Sequence, residues 1–178
     1  NCDGTLEWSA NPPVETTENK KTTSLPKIVS LFCGACGLDL GFKQVGFTVS
    51  VAIDSANGAI RTHKRNFPRT HSEVGDLIEL QPQGVLEIVK RMISPGSSIA
   101  VIGGPPCQGF SRANTASLTE DPRNKLPQLY VEIVQALQEI YTVEFIVFEI
   151  VLGIRDKKHI GTFNAFKTNL NLLGFDIT

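Results

Sequence analysis

The sequence predicts an α/β fold with a doubly wound, mostly parallel sheet. Short apolar runs alternate with segments of helical periodicity, and glycine- or proline-rich loops follow several of those runs. This alternation is typical of parallel strands joined by helices. The 178 residues are 41% hydrophobic, which suffices for the core of a single domain.

Composition and charge exclude several classes of protein. A net charge of -1 is unlike that of a protein that binds nucleic acid regardless of sequence. The apolar runs are too short to cross a membrane, and the chain does not open with the pattern of a signal peptide. The four cysteines are too few for a disulfide scaffold. We therefore expect a cytoplasmic protein without a membrane partner.

The amino-terminal elements follow an arm that lacks apolar periodicity. Residues 1–26 contain three prolines and five threonines, and we interpret them as a disordered arm or linker before a domain at 27–178. Apolar runs predict strands at 28–32 and 47–53. A short amphipathic segment is expected at 38–45. A helix is expected at 56–66, and Pro68 ends it.

The carboxy-terminal elements repeat this alternation. A helix is predicted at 85–93, before a break at 94–96. Two more are predicted at 126–140 and 163–173, where apolar residues recur at steps of three and four, and Gly174 is expected to cap the last one. Strands are predicted at 99–102 and 145–148. The second of these lacks polar alternation, which is typical of a buried parallel strand. The last residues, 175–178, resemble a strand cut short.

A glycine-rich loop after the first predicted strand indicates a cofactor site. Gly34 allows the backbone to approach a ligand near a helix N-terminus. Asp54, 20 residues later at the end of the next strand, can accept hydrogen bonds from ribose hydroxyls. The pair predicts a nucleoside-containing cofactor, with a plain tight turn as the alternative.

A second loop carries a candidate nucleophile. Cys107 follows two prolines at the end of a predicted strand, so its thiol is held on a stiff loop, as covalent catalysis needs. Glu149 ends the next core strand and is expected at the same edge of the sheet, as a partly desolvated proton donor. A surface loop beside a solvated glutamate is the alternative.

A third pattern is the C-x-x-C of Cys33 and Cys36 at a strand-to-helix junction. Such a pair is typical of thiol redox sites, so a thiol–disulfide redox protein is one alternative function. Two semi-buried small residues with no chemistry are the other interpretation.

The motifs together resemble those of the C5-cytosine-specific DNA methyltransferases. The octet Gly-Pro-Pro-Cys-Gln-Gly-Phe-Ser at 104–111 looks like the catalytic loop of that family, and residues 30–42 resemble its first, cofactor-binding motif. Further segments are similar to later motifs of the family, in the same order: Asp54 with 59–68, then 75–76, 121–126 and 145–153.

The resemblance implies a Rossmann-like, S-adenosylmethionine-dependent methyltransferase that modifies DNA, as in restriction-modification. A cytosine of double-stranded DNA would be swung out of the helix, Cys107 would add to its C6, and Glu149 would protonate N3. The family's target recognition domain has no counterpart, so the fold is expected to be truncated, with double-stranded DNA as a partner and a missing carboxy-terminal half as a candidate second partner. S-adenosylmethionine would contact Phe32, Gly34, Asp54, Asp76, Pro105 and Leu126, with no metal.

Three residues depart from the family pattern. Asp54 stands where the family usually has Glu, Cys36 replaces a glycine of the cofactor loop, and Ile150 replaces an Asn after Glu149. A side chain at Cys36 would crowd the cofactor or need an unusual φ. A truncated or catalytically inactive relative is therefore a further alternative.

Overall fold

The computed structural model describes residues 24–106, 125–156 and 159–177. Most of the predicted arm, and Cys107 with its loop, lie outside these ranges. In the described part no helix is long and apolar enough to cross a membrane. The strands and helices there are β1 (Lys27–Leu31), α1 (Gly37–Gln44), β2 (Val49–Asp54), α2 (Asn57–Asn66), β3 (His71–Val74), α3 (Leu77–Met92), β4 (Ser98–Gly103), α4 (Leu126–Gln138), β5 (Thr142–Phe148) and α5 (Ile160–Leu172).

The described strands form one parallel sheet in the order β3-β2-β1-β4-β5, which confirms the predicted fold class. The chain moves outward from β1 to β3, then crosses back to β4 on the other side of β1. This reversal is a topological switch point, where ligands bind at the carboxyl ends of the strands. Leu31 of β1 pairs with Ile53 of β2 and Gly103 of β4, so the three strand ends are level.

Helices cover both faces of the central strands. Alternate residues such as Val29 and Val101 pack with α3, α4 and α5, while Ile28 and Ile102 pack on the opposite face with residues of α1 and the end of α2. These four strand residues are fully buried. The sheet therefore offers a rigid base whose loops meet at one edge.

The predicted strand at 145–148 forms, as part of β5, but the prediction that it is buried is wrong. Thr142 and Glu144 are exposed, and the other residues of β5 are only half-buried. The physical reason is position: β5 is the outer strand of the described sheet, so it has a strand neighbour on one side only.

Two further expectations differ from the structure. A strand, β3, lies at 71–74, where no strand was expected, whereas residues 175–177 form none. Gly174, with φ +92°, ends α5 as predicted. The N–H of Gly174 donates to the carbonyl of Asn171 and that of Phe175 to Leu170, which is the Schellman pattern.

Candidate cofactor-binding and active site

A cavity of about 440 Å³ lies at the carboxyl ends of β1, β2 and β4, beside the switch point. Five of the six residues predicted to bind the cofactor line it, while the sixth, Pro105, is buried and lies between two lining residues. The lining residues are Phe32, Gly34, Asp54, Ser55, Gly75, Asp76, Leu77, Ile78, Gly104, Pro106 and Leu126.

Asp54 holds three loops of this cavity together. Its Oδ2 accepts a hydrogen bond from the N–H of Gly34 at 2.9 Å, and its Oδ1 accepts one from Ala56 at 2.8 Å. Its carbonyl oxygen accepts a third from Gly75 at 3.0 Å. The carboxylate is half-buried and lines the cavity. Each oxygen keeps a second lone pair, which can receive a donor of a ligand.

The glycine loop has an unusual backbone. Phe32, Gly34 and Cys36 have φ values of +54°, +52° and +81°, in the left-handed region that favours glycine. A Cβ added at Gly34 would meet no atom within 4 Å, so the backbone borders open space there. A ligand can therefore approach the main chain closely at Gly34.

Cys36 adopts the unusual φ that its replacement of a glycine requires, but it does not crowd the cavity. Its side chain is buried in a cluster with Ile28 and Phe67, and its Sγ lies 3.3 Å from the amide nitrogen of Asn66. The substitution thus strains the loop and leaves the cavity open.

The far end of the cavity combines a carboxylate with apolar walls. Asp76 caps α3, and its Oδ1 accepts a hydrogen bond from the N–H of Ile78 at 2.8 Å. Phe32, Ile78 and Leu126 supply apolar surface. Carboxylates that accept hydrogen bonds, apolar walls for a flat ring and an open glycine backbone together suit an adenosine-containing ligand.

Glu149 lies directly after β5, next to the loop that leads to Cys107. Its N–H donates to the carbonyl of Gly103 at 2.9 Å, and its Oε2 lies 3.0 Å from where a Cβ on Gly104 would be. The expectation that its carboxyl is partly desolvated is wrong for the described residues, because it is exposed at the end of the outer strand. Cys107 follows Pro106, a lining residue of the cavity, but lies outside the described residues.

The thiols of the C-x-x-C pair do not suit redox chemistry. Burial, together with the nearby carboxylates of Asp39 and Asp54, raises the pKa of the Cys33 thiol to about 12. Cys36 is buried as well. A thiol reacts as its thiolate, which a redox cysteine forms through a lowered pKa, so the environment of Cys33 argues against the redox alternative.

Sequence reasoning missed several features near the cavity. Ser55 and Ile78 line the cavity, one and two positions after the predicted residues Asp54 and Asp76. A serine or an isoleucine does not by itself indicate a ligand site. His63 is fully buried, with Nδ1 2.8 Å from Ser72 Oγ and Nε2 3.1 Å from Asp39 Oδ2. Because Asp39 lies in the first turn of α1, this network anchors the helix that follows the glycine loop.

A second cavity, of about 510 Å³, lies between β5 and α5. Its lining is mainly apolar, with Phe148 and Phe166 among its walls, and includes Ile150. Among the described residues, none that was predicted to bind the cofactor or to act in catalysis lines it.

The comparisons with known proteins agree on one family. The model of the family described as C-5 cytosine-specific DNA methylase matches residues 26–178. The type II methyltransferase M.NgoPII of Neisseria gonorrhoeae is 32% identical over 152 residues, which cover 85% of this chain and 41% of that protein. M.AquIA of Picosynechococcus is 37% identical over 119 residues, 66% of this chain and 47% of its own length. The chain thus spans less than half the length of these relatives.

Solved structures agree with the fold. A structure described as a DNA modification methyltransferase encoded within an E. coli prophage matches with a TM-score of 0.63 and 32% identity, over 83% of this chain and 38% of that one. The DNMT2 of Spodoptera frugiperda matches in fold with a TM-score of 0.57 and 24% identity, over 82% of this chain and 41% of its own.

Proposed function

Because the chain belongs to the C-5 cytosine-specific DNA methylase family, we propose that it takes part in the methylation of C5 of cytosine in DNA, with S-adenosylmethionine as the methyl donor. The observation that carries this proposal is the cavity at the switch point, where Asp54 binds the glycine loop and Asp76 and Leu126 close the far end. The type II relatives favour a role as the modification enzyme of a restriction-modification system.

The cavity residues fit the cofactor that this chemistry needs. The Asp54 carboxylate would accept hydrogen bonds from the ribose hydroxyls, and Asp76 would accept one from the adenine amino group. Phe32 and Leu126 would pack against the ring, Gly34 would admit the methionine end, and Pro105 would keep the adjoining loop stiff. When bound there, S-adenosylmethionine supplies an electrophilic methyl group, which C5 of an activated cytosine accepts.

The residues of this chain would provide that activation. The thiolate of Cys107 adds to C6 of the flipped cytosine, so a C–S bond forms and electron density moves toward C5 and N3. Glu149 donates a proton to N3, so negative charge does not build up on the base. After methylation a base removes the C5 proton, the electron pair expels the Cys107 thiolate, and N3 returns its proton to Glu149.

Covalent trapping tests this chemistry. Duplex DNA containing 5-fluorocytosine is incubated with the chain and S-adenosylmethionine, and the products are separated under denaturing conditions. Fluorine at C5 blocks the final elimination, so an active enzyme stays attached. We expect an adduct with the natural chain and none with Cys107→Ser. An adduct that persists in Cys107→Ser would contradict the proposed nucleophile.

Cofactor binding is tested separately by calorimetry. We expect S-adenosylmethionine to bind the natural chain and to bind Asp54→Ala about 10- to 100-fold more weakly, since a hydrogen bond to a charged group contributes about 1.5–3 kcal/mol. Glu87→Ala, which removes an exposed carboxylate of α3, serves as the control. Cofactor binding without an adduct would indicate the inactive or incomplete relative.

A further inference from the structure

Three side chains with metal-binding atoms come together between the glycine loop, α1 and α2. Cys33 follows β1, Asp39 lies in the first turn of α1, and His63 lies in α2. A sulfur, a carboxylate oxygen and a ring nitrogen of these residues all lie within 4.8 Å of one another. Asp39 and His63 are fully buried, and Cys33 keeps 8% of its surface exposed. We call these three residues the buried cluster.

Hydrogen bonds within the described chain leave part of the buried cluster unsatisfied. Oδ1 of Asp39 is buried and has no hydrogen-bond partner among the described residues, while Oδ2 lies 3.1 Å from Nε2 of His63. Sγ of Cys33 has only a long contact, of 3.7 Å, with the carbonyl oxygen of Gly34. A buried carboxylate oxygen without a partner costs free energy, and such an atom in a folded protein calls for a ligand or another explanation. A bound cation would satisfy it.

The surroundings of His63 orient its ring for ligation. Oγ of Ser72 lies 2.8 Å from Nδ1 of His63, and the same hydroxyl donates to the carbonyl oxygen of Thr70 at 3.5 Å. Ser72 is then an acceptor for the Nδ1–H group, which leaves the lone pair of Nε2 directed toward Asp39. A lone pair and a carboxylate oxygen repel each other unless a proton or a cation lies between them. Metal-binding histidines use their second ring nitrogen in this way.

The charges of the buried cluster match a divalent cation. Burial and the carboxylates of Asp39 and Asp54 raise the pKa of the Cys33 thiol in the metal-free chain. A divalent cation would reverse this effect, because a coordinating thiol loses its proton. One thiolate, one carboxylate and one neutral imidazole then cancel the two positive charges, so no net charge is buried. Sulfur, nitrogen and oxygen donors together suit Zn²⁺.

We propose that Cys33, Asp39 and His63 bind a Zn²⁺ ion, which links the glycine loop to α1 and α2. A zinc–sulfur bond forms as the thiol proton passes to solvent, and a water molecule completes the four ligands. Phe32 and Gly34, the chain neighbours of Cys33, line the cavity at the switch point, so the ion would hold the loop that borders this cavity. The family resemblance implies no metal, so the site goes beyond the proposed function and does not rest on it.

Titration of the full chain with Co²⁺ tests the site. Co²⁺ takes the place of Zn²⁺ in such sites, and a bound thiolate gives it a charge-transfer band in the near ultraviolet. The chain is first freed of metal with EDTA, and circular dichroism verifies that it is folded. We expect the band to saturate at about one equivalent of Co²⁺ and to disappear when Zn²⁺ is added. Competition between the two ions gives the affinity for Zn²⁺.

Three variants test the ligands and their support. Cys33→Ser replaces one atom and should bind Zn²⁺ at least about 100-fold more weakly, without the charge-transfer band. Asp39→Asn keeps the shape of the side chain but removes its charge, and a similar loss is expected. Ser72→Ala removes the partner of Nδ1 of His63 and should weaken binding by about 10- to 100-fold. Zn²⁺ should raise the melting temperature of the natural chain but not that of Cys33→Ser.

Two matched variants serve as controls. Cys36→Ser removes the other buried thiol of the loop, whose Sγ lies 3.3 Å from the amide nitrogen of Asn66. His71→Gln removes a half-buried histidine that contacts the carboxylate of Glu73 at 2.8 Å. Both should bind Zn²⁺ like the natural chain. No binding of either ion by the folded natural chain, a band that persists in Cys33→Ser, or an equal loss in Cys36→Ser would overturn the proposal.

The result is separable from the proposed function, because these measurements use the metal alone. Cys33-dependent binding of Zn²⁺ by a chain that forms no 5-fluorocytosine adduct would support the metal site and contradict the methylation chemistry. An adduct formed by a chain that binds neither Zn²⁺ nor Co²⁺ would do the reverse.

Discussion

The backbone N–H of Glu149 donates to the carbonyl oxygen of Gly103 across 2.9 Å, which continues the parallel pairing of β4 and β5 one residue past the end of β5. This bond fixes the main chain of Glu149 against the strand that leads to Cys107. Gly104, the residue after Gly103, lies against the Glu149 side chain. Oε2 of Glu149 is 3.0 Å from the position that a Cβ on Gly104 would take. Adjacent strands therefore hold Glu149 beside Gly103 and Gly104, which precede Cys107 in the sequence.

Gly104→Ala should reduce catalysis without unfolding the chain. The added methyl group would press on Oε2 of Glu149, the far end of a flexible and exposed side chain, which can move away at little cost. Because a shift of about 1 Å in a catalytic group can cost 100-fold in rate, we expect adduct formation with 5-fluorocytosine DNA to slow by roughly 10- to 100-fold. Gel quantification over time gives the rate.

Gly161→Ala is the matched control for this variant. Its Cβ would meet no atom within 4 Å in α5, so adduct formation should remain at the natural rate. Equal rates for Gly104→Ala and the natural chain would contradict the proposed position of Glu149.

Gly34→Ala should weaken cofactor binding. Gly34 has φ +52°, where a Cβ costs about 1–2 kcal/mol, and the new methyl group would enter the space that the cavity leaves open. We expect S-adenosylmethionine to bind about tenfold more weakly, which corresponds to about 1.4 kcal/mol in calorimetry.

Gly58→Ala provides the comparison within α2. This glycine also has open space around it, but it lies in a helix, so alanine should stabilise the chain by about 0.5–1 kcal/mol and leave cofactor affinity unchanged. If both variants lost the same affinity, the role of the glycine loop would be refuted.

The sequence predicted much of the lining of the cavity at the switch point because local patterns encode it. The 20-residue spacing of Gly34 and Asp54 implied that the loop and the second strand end meet, and the two are joined by a hydrogen bond of 2.9 Å. Asp76 was predicted because residues 75–76 resemble a motif of the family. Ser55 and Ile78 line the same cavity only because of where the backbone places them, and no property of a serine or an isoleucine signals that.

The elements that were missed or misjudged depend on neighbours or on polar residues. β3 has the sequence His-Ser-Glu-Val, which lacks an apolar run, and it forms by pairing with β2. The first turn of α3 was not predicted, and the helix was expected only from residue 85. Gln81, with φ +55°, and Pro82 interrupt the helical pattern after that first turn. The apolar sequence of β5 is that of a buried strand, but the exposure of a strand is set by the elements packed beside it.

The raised pKa of Cys33 predicts slow alkylation. With a pKa of about 12, roughly 0.01% of the thiol is ionised at pH 8, against about 9% at the ordinary value of 9.0. We therefore expect iodoacetamide to label Cys33 at least 100-fold more slowly in the folded chain than in urea, as followed by peptide mass spectrometry. Equal labelling rates would contradict the buried position.

The same shift predicts a loss of stability in alkali. The folded pKa lies above the unfolded one, so the contribution of Cys33 is complete below pH 9 and is lost as pH rises toward 12. At pH 10 this loss is about 1.4 kcal/mol. The free energy of unfolding, measured in urea, falls between pH 8 and pH 10. For Cys33→Ala this fall should be smaller than for the natural chain by that amount. Burial also raises the pKa of Tyr130 and Tyr141, but both tyrosines remain in the variant, so their effect cancels.

The buried pair of His63 and Asp39 should be strongly coupled in stability. His63→Leu leaves the fully buried Asp39 carboxylate without its imidazole partner, and breaking a buried pair in this way costs about 3–5 kcal/mol. The double variant Asp39→Ala/His63→Leu removes the stranded charge as well. It should therefore be more stable than the sum of the single effects predicts, with a coupling of about 1–3 kcal/mol in urea unfolding. The exposed pair of Glu87 and Lys90 gives the control cycle, where the coupling should stay below about 1 kcal/mol. Equal couplings in the two cycles would show that the His63 network does not anchor α1, and that the glycine loop is held by Asp54 without it.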